Sequence, residues 1–197
     1  RIFDDEYDTE IENIKNEISQ SYKNCLIKLG FRLGDMPKYE KQIISISTGA
    51  DDSFGPQGIA TDGTFLYVTN SSGYIRKINI ATRDYTDNLI GYDLLKHANC
   101  CDYNINNDSI YVCANGGDEK NNKIVVIDTD DLSVKRIFVL TDNDGNTIYP
   151  HGIAIDQLNE HFYVTNRFRE DNVIKLREFD KNGQYIGELE FNNDVFS

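Results

Sequence analysis

An all-β repeat fold is predicted by three features of the chain. The tetrapeptide Tyr67-Val68-Thr69-Asn70 recurs as Tyr163-Val164-Thr165-Asn166, with a degenerate copy, Tyr111-Val112-Cys113-Ala114-Asn115, between them. Each copy follows a short run that opens on a polar residue and ends in Asp. These runs are Gln57-Gly58-Ile59-Ala60-Thr61-Asp62, His97-Ala98-Asn99-Cys100-Cys101-Asp102 and His151-Gly152-Ile153-Ala154-Ile155-Asp156. The surrounding stretches alternate apolar and polar residues and are broken by Asp62-Gly63 and Lys181-Asn182-Gly183, both hairpin signals. The openers recur at intervals of roughly 40 to 54 residues, near the ~40–45 residues of a four-stranded propeller blade. The predicted architecture is therefore about three four-stranded antiparallel β-propeller blades, an incomplete ring, preceded by an N-terminal amphipathic α-helix.

The opening of the chain is unlike its repeats. Tyr7, Ile11, Ile14, Ile18, Tyr22, Cys25, Leu26 and Leu29 recur at three- and four-residue steps, which puts one apolar stripe along a helix over residues 5–29. Thr9 followed by Glu12 fits a capping box, and Gly30 fits a C-terminal stop. Such a stripe needs a partner. It packs on the blades or an adjacent domain, or it forms a short self-associating coiled coil. Gly34, Asp35 and Pro37 mark a linker, so residues 1–38 form a helix and linker and residues 39–197 a partial propeller. Residues 42–47 read as a lone strand ahead of the first complete blade.

The strands of the first unit fall at 58–61, 65–69, 74–80 and 85–92, with Asp62-Gly63-Thr64 as the first turn. The second unit repeats them at 103–105, 109–114, 123–128 and 134–140, with residues 115–122 as a long loop. The third has strands at 152–155, 161–165, 173–179 and 185–191, and residues 142–149 join the second blade to it. The blades thus span about 57–95, 97–140 and 151–191. Closed propellers use typically about four to eight blades. Three blades and a spare strand imply a segment of a larger propeller, an association of copies, or an open arc against a partner.

Composition narrows the function classes. With 33 acidic against 20 basic residues and a net charge of −13, the chain lacks the Lys and Arg density that displaces counterions from nucleic acid, so no nucleic-acid partner is expected. No apolar run approaches the roughly 18 residues of a membrane span, so membrane insertion is not expected either. Cys25, Cys100, Cys101 and Cys113 show no CxxC or Cys/His ligand spacing. Buried free thiols are the expectation, and a disulfide between Cys113 and one of the adjacent pair is the alternative. Asn70-Ser71-Ser72 and Asn107-Asp108-Ser109 are sequons that matter only in a secretory setting.

Gly-Ile-Ala-x-Asp, a short turn, Tyr-Val-Thr-Asn and an Ile-rich third strand together resemble the YVTN-type β-propeller repeat, with similarity to NHL repeats and the lactonase-like propellers. The resemblance covers about residues 42–191. It is good in the first and third units and weaker in the second, where Ala98 replaces Gly and Cys100-Cys101 replaces the aliphatic pair. It implies a fold rather than a reaction, because this propeller hosts hydrolases, a lyase, lectins and protein-docking platforms. Asp62, Asp102 and Asp156 are expected to bond the turn after the inner strand, and Asn70, Asn115 and Asn166 the turn after the second strand. Tyr67, Tyr111 and Tyr163 are expected to pack between blades with the hydroxyl at a polar edge. Gln57, His97 and His151 are the candidate ligand-binding residues, since the entry to a propeller's inner strand lies at the rim of its channel. His97 and His151 are also the candidate ligands of a divalent metal ion. His161 is expected only to pack. Asp142-Asn143-Asp144-Gly145-Asn146 departs from a calcium loop and reads as a turn.

The function expected from these features is that of a non-enzymatic propeller module. It would contact proteins or glycans, need no cofactor, and self-associate or dock through the helix over 5–29 and exposed blade edges. A helical stalk before a β-rich head suits an extracellular, cell-surface or virion protein. The alternative is a metal-dependent lactonase-like hydrolase or lyase using the channel-facing histidines.

Overall fold

The structure, a computed structural model, describes residues 54–95, 97–116, 119–166 and 173–192, together with Asn13. The chain divides into two compact units, Arg1–Ser45 and Ile46–Ser197. The expected helix over 5–29, the linker and the lone strand at 42–47 lie outside the described residues, Asn13 apart, which is helical and exposed.

Twelve described strands form three four-stranded antiparallel meanders. Blade 1 comprises β1 (Pro56–Thr61), β2 (Phe65–Asn70), β3 (Tyr74–Asn79) and β4 (Tyr85–Leu89), followed by a short helix α1 (Tyr92–Leu95). Blade 2 comprises β5 (His97–Asn104), β6 (Ser109–Gly116), β7 (Glu119–Asp128) and β8 (Val134–Val139). Blade 3 comprises β9 (Pro150–Asp156), β10 (His161–Asn166), β11 (Val173–Phe179) and β12 (Tyr185–Asn192). The inner strands pack side by side, β1 on β5 and β5 on β9, which is the radial arrangement of a propeller. The described residues close no ring.

Period-two alternation explains the packing, because successive side chains of a strand point to opposite faces. In β6, Ile110, Val112 and Ala114 join the core against blade 1, whereas Tyr111 and Cys113 join the core against blade 3. In β7, Val125 and Ile127 face blade 1 while Ile124 and Val126 face blade 3. Blade 2 is therefore apolar on both faces, and all nine of these residues are buried. The junction with blade 3 is aromatic. Phe162 stacks on Phe179 at 5.3 Å between ring centroids, and Tyr111 and Phe138 complete the cluster.

Polar clasps at the strand turns join the blades. Lys77 donates to the carbonyl of Thr129 (2.6 Å) and Asn88 to that of Leu132 (2.8 Å), tying blade 1 to blade 2. Gln157 donates to the Tyr103 carbonyl (2.6 Å) and accepts from the Ile105 amide (3.0 Å), tying blade 3 to blade 2.

Two expectations for the second blade are corrected. Its inner strand is His97–Asn104 rather than a segment at 103–105. The long loop expected at 115–122 is mostly ladder, because β6 and β7 pair as far as Gly116 and Glu119. Residues 142–149 make the expected turn: Asp142 Oδ1 accepts from the amides of Asp144 and Asn146, and Gly145 takes a φ of +80°.

Candidate functional site

The repeated motif residues hold the blades together. Thr69 Oγ1 accepts from the Gly58 amide (3.1 Å) and donates to the carbonyl of Ala98 in the next blade (2.8 Å). A Cβ at residue 58 would lie 2.7 Å from that oxygen and 3.1 Å from the backbone of Cys100 and Cys101, so only glycine fits. Thr165 and Gly152 repeat the first bond at 3.0 Å. Asn70 Oδ1 accepts from the amides of Ser72 and Tyr74, closing the next turn. The motif tyrosines end on polar partners: Tyr67 donates to Asp62, Tyr163 to Glu178, and Tyr111 accepts from Asn107. His161 also binds Glu178, at 2.7 Å.

Asp62 Oδ1 accepts from the amides of Thr64 and Phe65, each at 2.7 Å. Burial works against its ionisation, but the bonds from Phe65, Tyr67 and Thr64 outweigh burial and hold its carboxyl below the usual range. Asp156 is lowered chiefly by the Asn159 side chain, then by the amides of Leu158 and Asn159. Among the cysteines, Cys100, Cys101 and Cys113 are free thiols, and burial pushes Cys101 up to about 12 and Cys113 well above its ordinary value. Neither of those two is a ready nucleophile.

Strand register realigns the openers. Ile59, Cys101 and Ile153 are equivalent, because they pair with Val68, Val112 and Val164 of the three motifs. The residue two places earlier is Gln57 in blade 1, His151 in blade 3 and Asn99, not His97, in blade 2. In all three blades it sits where the inner-strand ladder is irregular, and a bulge of this kind re-aims a side chain. Asn99 Nδ2 and His151 Nδ1 approach to 3.5 Å across adjacent blades, so two of the three positions come together. Gln57 and His151 are exposed; His97 is half-buried at the first position of β5, paired with Asn115. The same shift makes Asn104, whose Oδ1 accepts from the Asn106 amide, the equivalent of Asp62 and Asp156. Asp102 instead lies mid-strand and accepts from the Ile155 amide of blade 3 at 2.8 Å. A sequence signal existed: Asn99 and His151 precede their motif tyrosines by the same number of residues. Among the described residues no group of three or more His, Cys, Asp or Glu side chains is placed to share a metal ion.

A second site was not legible in the motifs. A groove of about 590 Å³ runs between the outer part of blade 1 and the β7–β8 turn of blade 2. Tyr85, Asp84, Asn88, Lys77, Asp130 and Asp131 are among its lining residues. Asp84, Asp130 and Asp131 are exposed, whereas Lys77 is held by Thr129 and by the Phe65 ring, 4.2 Å from its centroid. The wall at Asp130-Asp131-Leu132 is fixed in place. Leu132 has a φ of +58°, costly for a branched side chain, and its side chain is buried in the core between blades 1 and 2. Asp128 Oδ1 accepts from the Asp130 amide, and Asp131 Oδ1 from the Ser133 amide.

No family model matches the chain, and no curated protein matches it. Solved structures of β-propeller type do. Hydrazine synthase of Kuenenia stuttgartiensis aligns with a TM-score of 0.54 at 17% identity, over 70% of this chain and 37% of that one. Glutaminyl cyclase of Myxococcus xanthus aligns at 0.51 and 13% identity, over 68% of this chain and 51% of that one. The WD40 repeats of RRP9 align at 0.52 and 11% identity, over 71% of this chain and 39% of that one. The chain spans about half or less of the length of these structures. At such identities the likeness shows the fold alone, and the fold is that of β-propeller blades.

Two outcomes follow. Thr69→Val keeps the shape but strands a buried amide and a buried carbonyl. It should cost about 1–3 kcal/mol in chemical denaturation, and Thr165→Val, which breaks one bond, should cost less. Equal losses would contradict an interblade role for Thr69. The lowered carboxyls of Asp62 and Asp156 contribute stability that is complete above the unfolded value of about 3.9 and is lost as pH falls through the folded values. The melting temperature should hold down to about pH 5 and drop below about pH 4. That drop should be shallower in Asp62→Asn/Asp156→Asn, and an identical acid profile for the double variant would refute the assignment.

Proposed function

We propose that this chain is a non-enzymatic β-propeller binding module. Its groove between blades 1 and 2 takes a protein segment that carries basic side chains. The observation supporting this reading is the preformed wall at Asp130-Asp131-Leu132. A strained turn anchored in the core holds two exposed carboxylates in the groove that Asp84 also lines. Exposed carboxylates on a fixed turn suit an ammonium or guanidinium group, which donates charge-assisted hydrogen bonds to them. The net charge of −13 favours a basic partner over long range as well. Gln57 and His151 on the axial side, with His97 at the entrance of β5, form a second contact surface in this reading.

Fluorescence anisotropy with a labelled Lys- and Arg-rich peptide tests the proposal, with a neutral oligosaccharide as the competing probe. The peptide should bind with an affinity that falls as salt rises, and Asp130→Asn/Asp131→Asn should weaken it roughly tenfold, about 1.4 kcal/mol. Binding of the oligosaccharide alone would replace the protein partner with a glycan. Peptide binding unchanged in the double variant would move the site elsewhere.

A further inference from the structure

The two outermost sheet faces carry the residues that the internal junctions bury. At each junction the forward face of one blade covers the backward face of the next. Blade 1 presents Ala60, Tyr67, Thr69 and Ile75 forward, all buried by blade 2. Blade 2 presents Tyr111, Cys113 and Ile124 to blade 3, again buried. Register assigns the same places in blade 3 to Ala154, Tyr163, Thr165 and Leu176. There Ala154 is exposed and the others are only half-buried. Leu189, paired with Leu176, is 58% exposed.

The backward face of blade 1 is the counterpart. Ile59 is 61% exposed, while its equivalents Cys101 and Ile153 pack into the two internal cores. Phe54, two residues ahead of β1, rests on Val68 and Ile78. Leu95 stands two residues ahead of β5 and Ile148 two ahead of β9, and these two residues fill the internal junctions. The backward face thus carries the same plug that a junction uses. The hydrogen bonding points the same way. Thr69 donates its hydroxyl hydrogen bond to the Ala98 carbonyl of the next blade, but among the described residues none accepts from Thr165. The place equivalent to Ala98 in blade 1 is Pro56.

From this matching we infer that two copies of the chain close a ring. Blade 1 of each copy docks on blade 3 of the other, with Ile59 beside Leu176, Leu189 at the partner's β3–β4 turn, and the Thr165 hydroxyl on the partner's Pro56 carbonyl. Two copies of the three described blades give six, within the roughly four to eight of closed propellers. Head-to-tail contacts terminate when the rotation closes in this way. The inference goes beyond the groove and does not depend on what the groove binds.

Light scattering of the full chain, with Ile59→Lys and Leu189→Glu made separately, tests it. Both positions are exposed in the single chain, so each variant should keep the circular dichroism of the parent. The parent should have twice the chain mass, each variant the mass of one chain, and an equimolar mixture of the two should recover the doubled mass. In that mixture one junction is native and the other carries both substitutions. A monomeric parent would overturn the inference, as would a ladder of larger masses. A dimer kept by both variants would also overturn it, placing association on another surface while leaving the binding-module reading intact.

Discussion

A four-stranded blade with apolar residues on both faces is stable only when both faces are covered. That constraint orders everything else in this chain. Blade 2 satisfies it internally, with Val112, Val125 and Ile127 against one neighbour and Cys113, Ile124 and Phe138 against the other. Burying side chains of this size stabilises by about 1.5–3 kcal/mol each, so the middle blade holds much of the fold's energy. Blades 1 and 3 each have one face covered by a neighbour and one outermost face.

Within that frame the repeated motif is a device for spacing blades. The threonine bonds its own inner strand and, in blade 1, the inner strand of the next blade. Glycine is required opposite it because the hydroxyl occupies the space a Cβ would take. Where Cys113 replaces the threonine, Cys100 replaces the glycine, and the link to blade 3 passes instead through Asp102 and the Ile155 amide. The two substitutions are one structural exchange. The groove between blades 1 and 2 lies in parts of the repeat that the motif does not fix: the polar strand β4 and the turn at residues 129–132.

Blades 1 and 3 were legible in the sequence because Gly, Thr, Asn and Asp each answer to a specific backbone demand that a motif records. Blade 2 was legible as a blade but not in register. A core buried on both faces accepts any small apolar side chain, so Cys100-Cys101 and the extra Ala114 carry no marker of phase, and the motif spacing points to His97 where Asn99 belongs. The meeting of Asn99 with His151 was hidden for the same reason. The groove escaped because its walls come from residues more than 40 positions apart, Tyr85 and Asp130 among them, brought together only by the packing of one blade on the next.

Native-state amide hydrogen exchange tests the central role of the middle blade most directly. With both faces of blade 2 buried, the amides of Val112 and Val125 should exchange only through global unfolding and be the slowest in the chain. Those of β1 and β12 should open at lower free energy. Faster exchange in β6 and β7 than in β1 and β12 would contradict the account.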